Sequence, residues 1–357
     1  MNLLERIYYI GLSIKKHYAL KHQKKLPYKV ISIGNITVGG TGKTPAVIAI
    51  AEEAKKRGFK PYILTRGYKG KTEGPCFISK GEGPLMSEQE AGDEPVLMAE
   101  KLKGVPIIKC ADRYKGGIFA LQNFGEPEIS LFTDSPIHPS TSSPLLFILD
   151  DGFQHWNLFR DKDILLINSI SPFGNRRLLP LGPLREPLSA IRRADIIVLT
   201  KMDNTVRSQS TTHGQSKVDS LIEEIKVYNS RATIFFAEHQ PSKFISSTGD
   251  VFPLEWANEK KFFGFCGIGN PESFMQTLFT ASVELRGFKI YRDHYRYSVK
   301  DLETIKKRAE QSGANWIVTT EKDIMRIKEF SLPENLVSLA IEFTVDKKFY
   351  EEVFSKM

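Results

Sequence analysis

A chain of 357 residues is long enough for two ordinary domains, each with a sizeable core. Its 41% hydrophobic and 26% charged residues exclude a disordered chain, and with no run of about 18 apolar residues no transmembrane helix is expected. The formal net charge of +8 points to an anionic partner, and the lack of arginine-rich tracts or aromatic–basic interleaving argues against nucleic acid.

The first segment, residues 1–25, is not a signal peptide, because Glu5, Arg6, Lys15 and Lys16 interrupt any apolar core. Leu3, Leu4, Ile7, Tyr8, Ile10 and Ile14 share one broad helical face, and Arg6, Lys15, Lys16, Lys21, Lys24 and Lys25 supply positive charge. Two readings stand: a basic amphipathic helix on an anionic membrane, or a helix packed on its own domain.

Next comes an apolar run, Val30-Ile31-Ser32-Ile33, then Gly34-Asn35-Ile36-Thr37-Val38-Gly39-Gly40-Thr41-Gly42-Lys43-Thr44, then a helical pattern from Pro45 to Arg57. Strand, Gly-rich loop and helix in that order make a P-loop. Its backbone N–H groups, over Thr37, Gly39, Gly40, Thr41 and Gly42, would cradle phosphate. Lys43 should reach the β- and γ-phosphates, and the Thr44 hydroxyl should sit on Mg²⁺. Thr37 stands where the usual pattern has its first Gly.

Short apolar runs then alternate with helical patterns. Strands are expected at 61–65, 105–109, 145–149, 163–168, 195–200, 232–236, 261–266, 315–320 and 336–342, besides the first at 29–34. Helices are expected at 45–57, 94–103, 112–124, 217–228, 271–280 and 299–311. The alternation predicts an α/β fold: a P-loop NTPase-type parallel sheet domain, residues 1–235, with a second, smaller α/β domain, residues 236–357. Residues 126–144 and 204–216 read as surface loops. The scattered cysteines Cys76, Cys110 and Cys266 form no metal-type pair and point to a reducing compartment.

Several short motifs can carry chemistry. Leu145-Leu146-Phe147-Ile148-Leu149 delivers Asp150 and Asp151 to a strand end, where P-loop enzymes hold Mg²⁺ opposite the loop. Gln154 and His155 follow on the same edge and can orient water or phosphate. Arg185 and Glu186 lie between Pro183 and Pro187 on a stiff loop. They are either a surface ion pair or, respectively, a charge neutraliser and a Mg²⁺ ligand. Asp93, in Gly92-Asp93-Glu94-Pro95, is placed as a helix N-cap or as a proton acceptor. Asp293-His294 lies in a Tyr/Arg-rich stretch, and Thr200-Lys201-Met202-Asp203 has the form of a guanine-reading signature.

Taken in order, these motifs closely resemble the tetraacyldisaccharide 4'-kinase family, the lipid A 4'-kinases of Gram-negative bacteria. Thr65-Arg66-Gly67-Tyr68, Leu179-Pro180-Leu181-Gly182, Gly267-Ile268-Gly269-Asn270-Pro271 and Thr319-Thr320-Glu321-Lys322-Asp323 extend the match, which runs from about residue 30 to 325. Thr37 fits that family, while the 126–144 insertion and the flank of His294 depart from it. The resemblance implies ATP- and Mg²⁺-dependent phosphorylation, at the 4'-hydroxyl, of an acylated glucosamine disaccharide 1-phosphate. It makes Asp93 the general base with His294 as partner and Asp293 orienting the ring, and adds Lys43 and Arg185 as the positive field. Thr44, Asp150, Asp151 and Glu186 become the metal set, with Gln154 among the nucleotide contacts. It tips residues 1–25 toward an anionic inner-membrane surface, and so implies a peripheral protein on the cytoplasmic face, acting as a monomer. The rival is a P-loop GTPase or nucleotide-dependent chaperone that reads guanine through Thr200–Asp203.

Overall fold

The structure, a computed structural model, describes residues 2–67, 74–124, 143–200, 212–355 and 357. Tyr68, residues 126–142 of the expected insertion, residues 204–211 and Lys201-Met202-Asp203 lie outside the described residues.

The first part of the chain runs α1 (Leu3–Lys21), β1 (Lys29–Gly34), α2 (Lys43–Lys56), β2 (Lys60–Thr65), β3 (Cys76–Ser79), α3 (Glu88–Ala91), α4 (Asp93–Lys101), β4 (Ile107–Lys109), α5 (Arg113–Asn123), β5 (Leu145–Asp150), β6 (Lys162–Asn168), β7 (Ile196–Thr200) and α6 (Thr212–Tyr228). The second part runs β8 (Thr233–Ser246), β9 (Val251–Pro253), β10 (Lys261–Cys266), α7 (Pro271–Thr280), β11 (Glu284–Ile290), α8 (Val299–Gln311), β12 (Trp316–Thr320), α9 (Glu321–Ile327), β13 (Leu336–Val345) and α10 (Lys347–Phe354).

All the strands join one sheet, in the order β11-β10-β12-β13-β8-β7-β6-β1-β5-β2-β4-β3, with β9 on β8. Pairing is parallel except at β3–β4, β8–β9 and β8–β13. β1 lies between β5 and β6, so its side chains are covered on both faces, as its unbroken apolar run requires. Ile31, Ile33, Ile148 and Ile164 pack under α2 on one face, and Val30, Tyr62, Phe147 and Leu149 pack under α5 on the other.

β8 joins the two parts. Ala237 pairs with Thr200 of β7 in parallel and with Val345 of β13 in antiparallel fashion. The boundary expected after residue 235 therefore falls inside a strand that both parts share. α10 also returns to the first part, where Phe349 and Val353 join the core under α2. The sheet places the C-terminal ends of β1, β5 and β7 on the same edge, where parallel α/β sheets bind ligands.

Candidate active site

A cleft of about 1730 Å³ opens at that edge, lined on one side by residues 38–45 and on the other by residues 292–296 and 320–322. Gly39 and Gly42 hold the loop with φ of +115° and +81°. The positive φ at Gly42 favours glycine in the turn into α2, and an added Cβ, 2.1 Å from the His239 ring, would also force that side chain to move. Asn35 Nδ2 donates to Thr41 Oγ1 at 3.1 Å, and Thr200 Oγ1 donates to the Thr41 carbonyl at 3.1 Å. Thr37 bridges to Leu184, and the Arg185 amide donates to the Ile36 carbonyl at 2.8 Å. That pairing brings Arg185 to the phosphate loop, and it turns Thr37 away from the cleft lining.

Four charged groups meet at the strand ends. Lys43 Nζ lies 3.6 Å from Asp151 Oδ1, and Arg185 donates to Asp151 Oδ2 at 2.7 Å. Burial pushes Asp151 up, but Lys43 and Arg185 hold it below its ordinary value. Asp150 accepts from Thr65 Oγ1 at 2.9 Å, and burial, then Glu94 and Asp151, push it up to about 6. Oδ1 of Asp150 and Oδ1 of Asp151 are buried without a hydrogen-bond donor. With the Thr44 hydroxyl on the same cleft, these oxygens fit a hard cation such as Mg²⁺. Among the described residues no group of three or more His, Cys, Asp or Glu forms a metal cage. Mg²⁺ tolerates that, since it keeps waters and substrate phosphates as ligands.

Glu186 is not a member of this set. Both its oxygens are taken by Arg193 at 2.8 Å, and Gln154 Nε2 donates to it at 3.0 Å. It lines a separate, smaller cavity. The expected metal ligand is thus a buried ion-pair partner. Gln154 lines the cleft, but its amide nitrogen also donates to the Asn35 carbonyl at 2.8 Å, so it braces the loop base. His155 accepts from the Arg113 amide, and burial and the Arg113 charge lower it to about 4.

Across the cleft, Asp93 is the first residue of α4, and Gly92 takes the N-cap position. The expected cap is therefore not what holds this carboxylate. Its Oδ2 meets Arg326 and lies 3.4 Å from His294 Nδ1, while Oδ1 accepts only from the Glu94 amide, at 3.0 Å. Burial pushes Asp93 up, but the His294 hydrogen bond and the Arg326 and Lys322 charges overcome it and hold it well below the carboxylate range. Arg326 donates to Asp323 at 2.9 Å and to the Gly267 carbonyl at 2.6 Å. Asp323 is fully buried and also accepts from Tyr297, at 2.9 Å, and from Thr320. Arg326 has no motif of its own; its signal was its place three residues after Asp323, on one face of α9.

His294 sits at φ +54°, with its amide on the Gly267 carbonyl at 3.0 Å. Asp293 Oδ1 is 4.0 Å from Nε2, too far for a hydrogen bond, so Asp93 rather than Asp293 orients the ring. The Asp93 hydrogen bond raises the pKa of His294 from 6.5. A raised histidine adds stability below its ordinary value and loses it as pH rises through the folded value. Thermal melts of wild type and His294→Ala should therefore differ most near about pH 5 and converge at alkaline pH. A gap that ignores pH would remove the ion pair from the account.

Beside the cleft, α1 begins with a capping box between Asn2 and Glu5. Glu5 is buried and accepts from the Leu178 amide at 3.2 Å. Tyr8, expected on the apolar face, turns toward the domain and donates to the Arg185 carbonyl at 2.9 Å. The rest of the apolar face is open: Leu3 is 69%, Ile7 59%, Ile10 57% and Ile14 65% exposed. Glu5, Tyr8 and Ala19 hold the helix on the domain, and the open side chains are left uncovered by the described residues. No helix among the described residues is long and apolar enough to cross a membrane.

The family model described as Tetraacyldisaccharide-1-P 4'-kinase matches residues 1–357. A tetraacyldisaccharide 4'-kinase of Syntrophus aciditrophicus (strain SB) is 36% identical over 372 residues, covering 100% of this chain and 92% of the relative. One from Halothermothrix orenii is 32% identical over 367 residues, covering 97% and 88%. A crystal structure of LpxK from Aquifex aeolicus in complex with ATP has a TM-score of 0.73 and 30% identity, covering 98% of this chain and 96% of that one. These matches set aside the GTPase and chaperone readings.

Proposed function

We infer the reaction and its residue roles from one premise: the chain belongs to the tetraacyldisaccharide-1-P 4'-kinase family. It is a kinase of lipid A biosynthesis that moves a phosphoryl group from ATP to the 4'-hydroxyl of a tetraacylated disaccharide 1-phosphate. The observation that carries the residue roles is the meeting of Asp93, His294 and Arg326 across one cleft from Lys43 and Arg185.

The P-loop amides and Lys43 bind the phosphates, and Arg185, now held on Asp151, neutralises charge on the group in transfer. Thr44, Asp150 and Asp151 would hold Mg²⁺, which supplies further charge neutralisation when bound. Asp93 stays ionised, and its Oδ1 keeps a lone pair free for the proton of the acceptor hydroxyl. His294 fixes the carboxylate from the side of Oδ2. The P-loop side forms one wall of the cleft, and α4 with the chain after β8 forms the other, all from one chain, which suits a monomer.

Transfer of label from γ-labelled ATP to a membrane-lipid extract tests the whole reading, with labelled GTP in parallel. Lipid labelled from ATP is expected. Label released only as free phosphate, or taken only from GTP, would overturn it.

The open face of α1 supports docking at an anionic membrane, on the cytoplasmic face of the inner membrane where ATP is available. Ile7→Ser/Ile10→Ser/Ile14→Ser should release the protein from anionic vesicles and raise KM for the lipid, with thermal melts little changed because these residues are exposed. Substitution is a cleaner test than deletion, since deletion also removes buried Glu5 and the half-buried Tyr8 that bonds Arg185. Unchanged sedimentation would refute the docking face.

A further inference from the structure

A second cavity, of about 200 Å³, lies beneath α1, away from the P-loop. Tyr9, Leu12, Ser13 and Lys16 line it from one face of α1, and Ser189, Arg192 and Arg193 close it from the short 3₁₀ turn Leu188–Arg193. Its charge is unbalanced. Arg193 is matched by Glu186, at 2.8 Å. Among the described residues Arg192 donates only to the Ser189 carbonyl, at 3.2 Å, and Lys16 makes no direct ion pair or hydrogen bond, feeling only the Glu186 carboxylate that Arg193 already holds. Lys16 Nζ sits instead over the Trp156 ring, 5.8 Å from its centroid. Arg193 Nε is buried with no acceptor. Three cations thus share a small space with one committed carboxylate, and crowded cations of this kind favour an anion between them.

We propose that this cavity is a phosphate-binding site, distinct from the P-loop, that takes the phosphate of an anionic phospholipid headgroup or free inorganic phosphate. Lys16 and Arg192 supply the unmatched charge, and the hydroxyls of Ser13 and Ser189 supply neutral donors. Burial, then Arg193, lowers the lysine's pKa, as expected for a cation facing other cations. The depth also fits. An amphipathic helix sinks about 5–10 Å into the headgroup boundary and is about 10–12 Å across. With Leu3, Ile7, Ile10 and Ile14 down, Lys16, on the opposite side of α1, stands at the outer edge of the headgroup layer. Only this choice of the lipid as source rests on the membrane reading.

Trp156 lines the catalytic cleft, but both Lys16 and Arg193 lie over its ring, so with ATP held saturating its emission reports changes at the second cavity. The full chain, with its P-loop saturated by ATP, is titrated with inorganic phosphate and, separately, with a soluble short-chain phosphatidylglycerol. The comparison is between wild type, Lys16→Gln/Arg192→Gln, and Lys21→Gln/Lys25→Gln, which removes equal charge outside the cavity. A saturable change in wild type and in the Lys21/Lys25 variant, at least about tenfold weaker in the Lys16/Arg192 variant, is expected. Binding of the lipid alone assigns the headgroup. Binding of both shows that phosphate suffices, and binding of phosphate alone assigns the free anion. No saturable change in wild type, or equal weakening in both variants, overturns the site. Trp156→Phe should abolish the signal, and a signal that survives overturns it as well. Soluble lipid keeps the result independent of vesicle docking, which the α1 serine variant tests by itself.

Discussion

Lys43→Ala is expected to lower kcat by about two orders of magnitude or more while the protein stays folded. Lys43 is the first residue of α2, and its ammonium is one of three cations, with Arg185 and Arg113, that hold Asp151 ionised. Its Nζ lies 3.6 Å from that carboxylate, within charge–charge range but beyond a hydrogen bond, so no hydrogen bond to Asp151 ties it away from the β- and γ-phosphates. A charge at the transferring group counts for more in the transition state than in the ground state, so kcat should fall further than KM for ATP rises. Stability should change little, because Arg185 still pairs with Asp151 at 2.7 Å and no apolar contact of the core is lost. Steady-state kinetics with ATP varied, beside a thermal melt, is the measurement. A folded variant with near-normal turnover would take Lys43 out of the transfer step.

The P-loop and the Asp150–Asp151 strand end were legible because each is a local pattern: a buried strand, then polar groups at its C-terminal edge. β1 and β5 read directly from apolar runs covered on both faces. β11 was missed because Glu284–Ile290 lies at the sheet edge and alternates charge with partly covered apolar groups. α9 was missed because seven residues are too few to show a helical period. Two of the errors at the site share a cause. Glu186 looked like a free ligand because nothing local shows that Arg193 folds back on it through a 3₁₀ turn. Arg326 went unnoticed because its partner Asp93 is 233 residues away, and only the α4–α9 contact brings them together. Charge pairing across the sheet is a tertiary fact, and residue spacing does not encode it.

Asp93→Asn should lower kcat by about a hundredfold or more with KM for ATP little changed, since it removes the proton acceptor and leaves the P-loop intact. Its cost in stability differs from that of a lost helix cap, because Gly92 holds the cap position and Asp93 is committed to Arg326 and His294 instead. Asparagine keeps an acceptor for the guanidinium but loses the charge, so a cost of about 1–3 kcal/mol is expected. Arg326 stays anchored by Asp323 and the Gly267 carbonyl, which limits the damage. His294→Ala should also lower kcat. The double variant should lose less than the product of the single losses, because the ring acts on the carboxylate it touches at 3.4 Å. Arg326→Met tests the other side of the same oxygen. It frees Asp93 from a cation that holds its pKa down, so the acidic limb of the kcat–pH profile should move to higher pH, whereas loss of packing alone would lower kcat at every pH alike. Multiplicative losses in the Asp93/His294 double variant would detach His294 from the base. An Asp93→Asn enzyme with wild-type turnover would leave that carboxylate as a tie between α4 and α9 and nothing more.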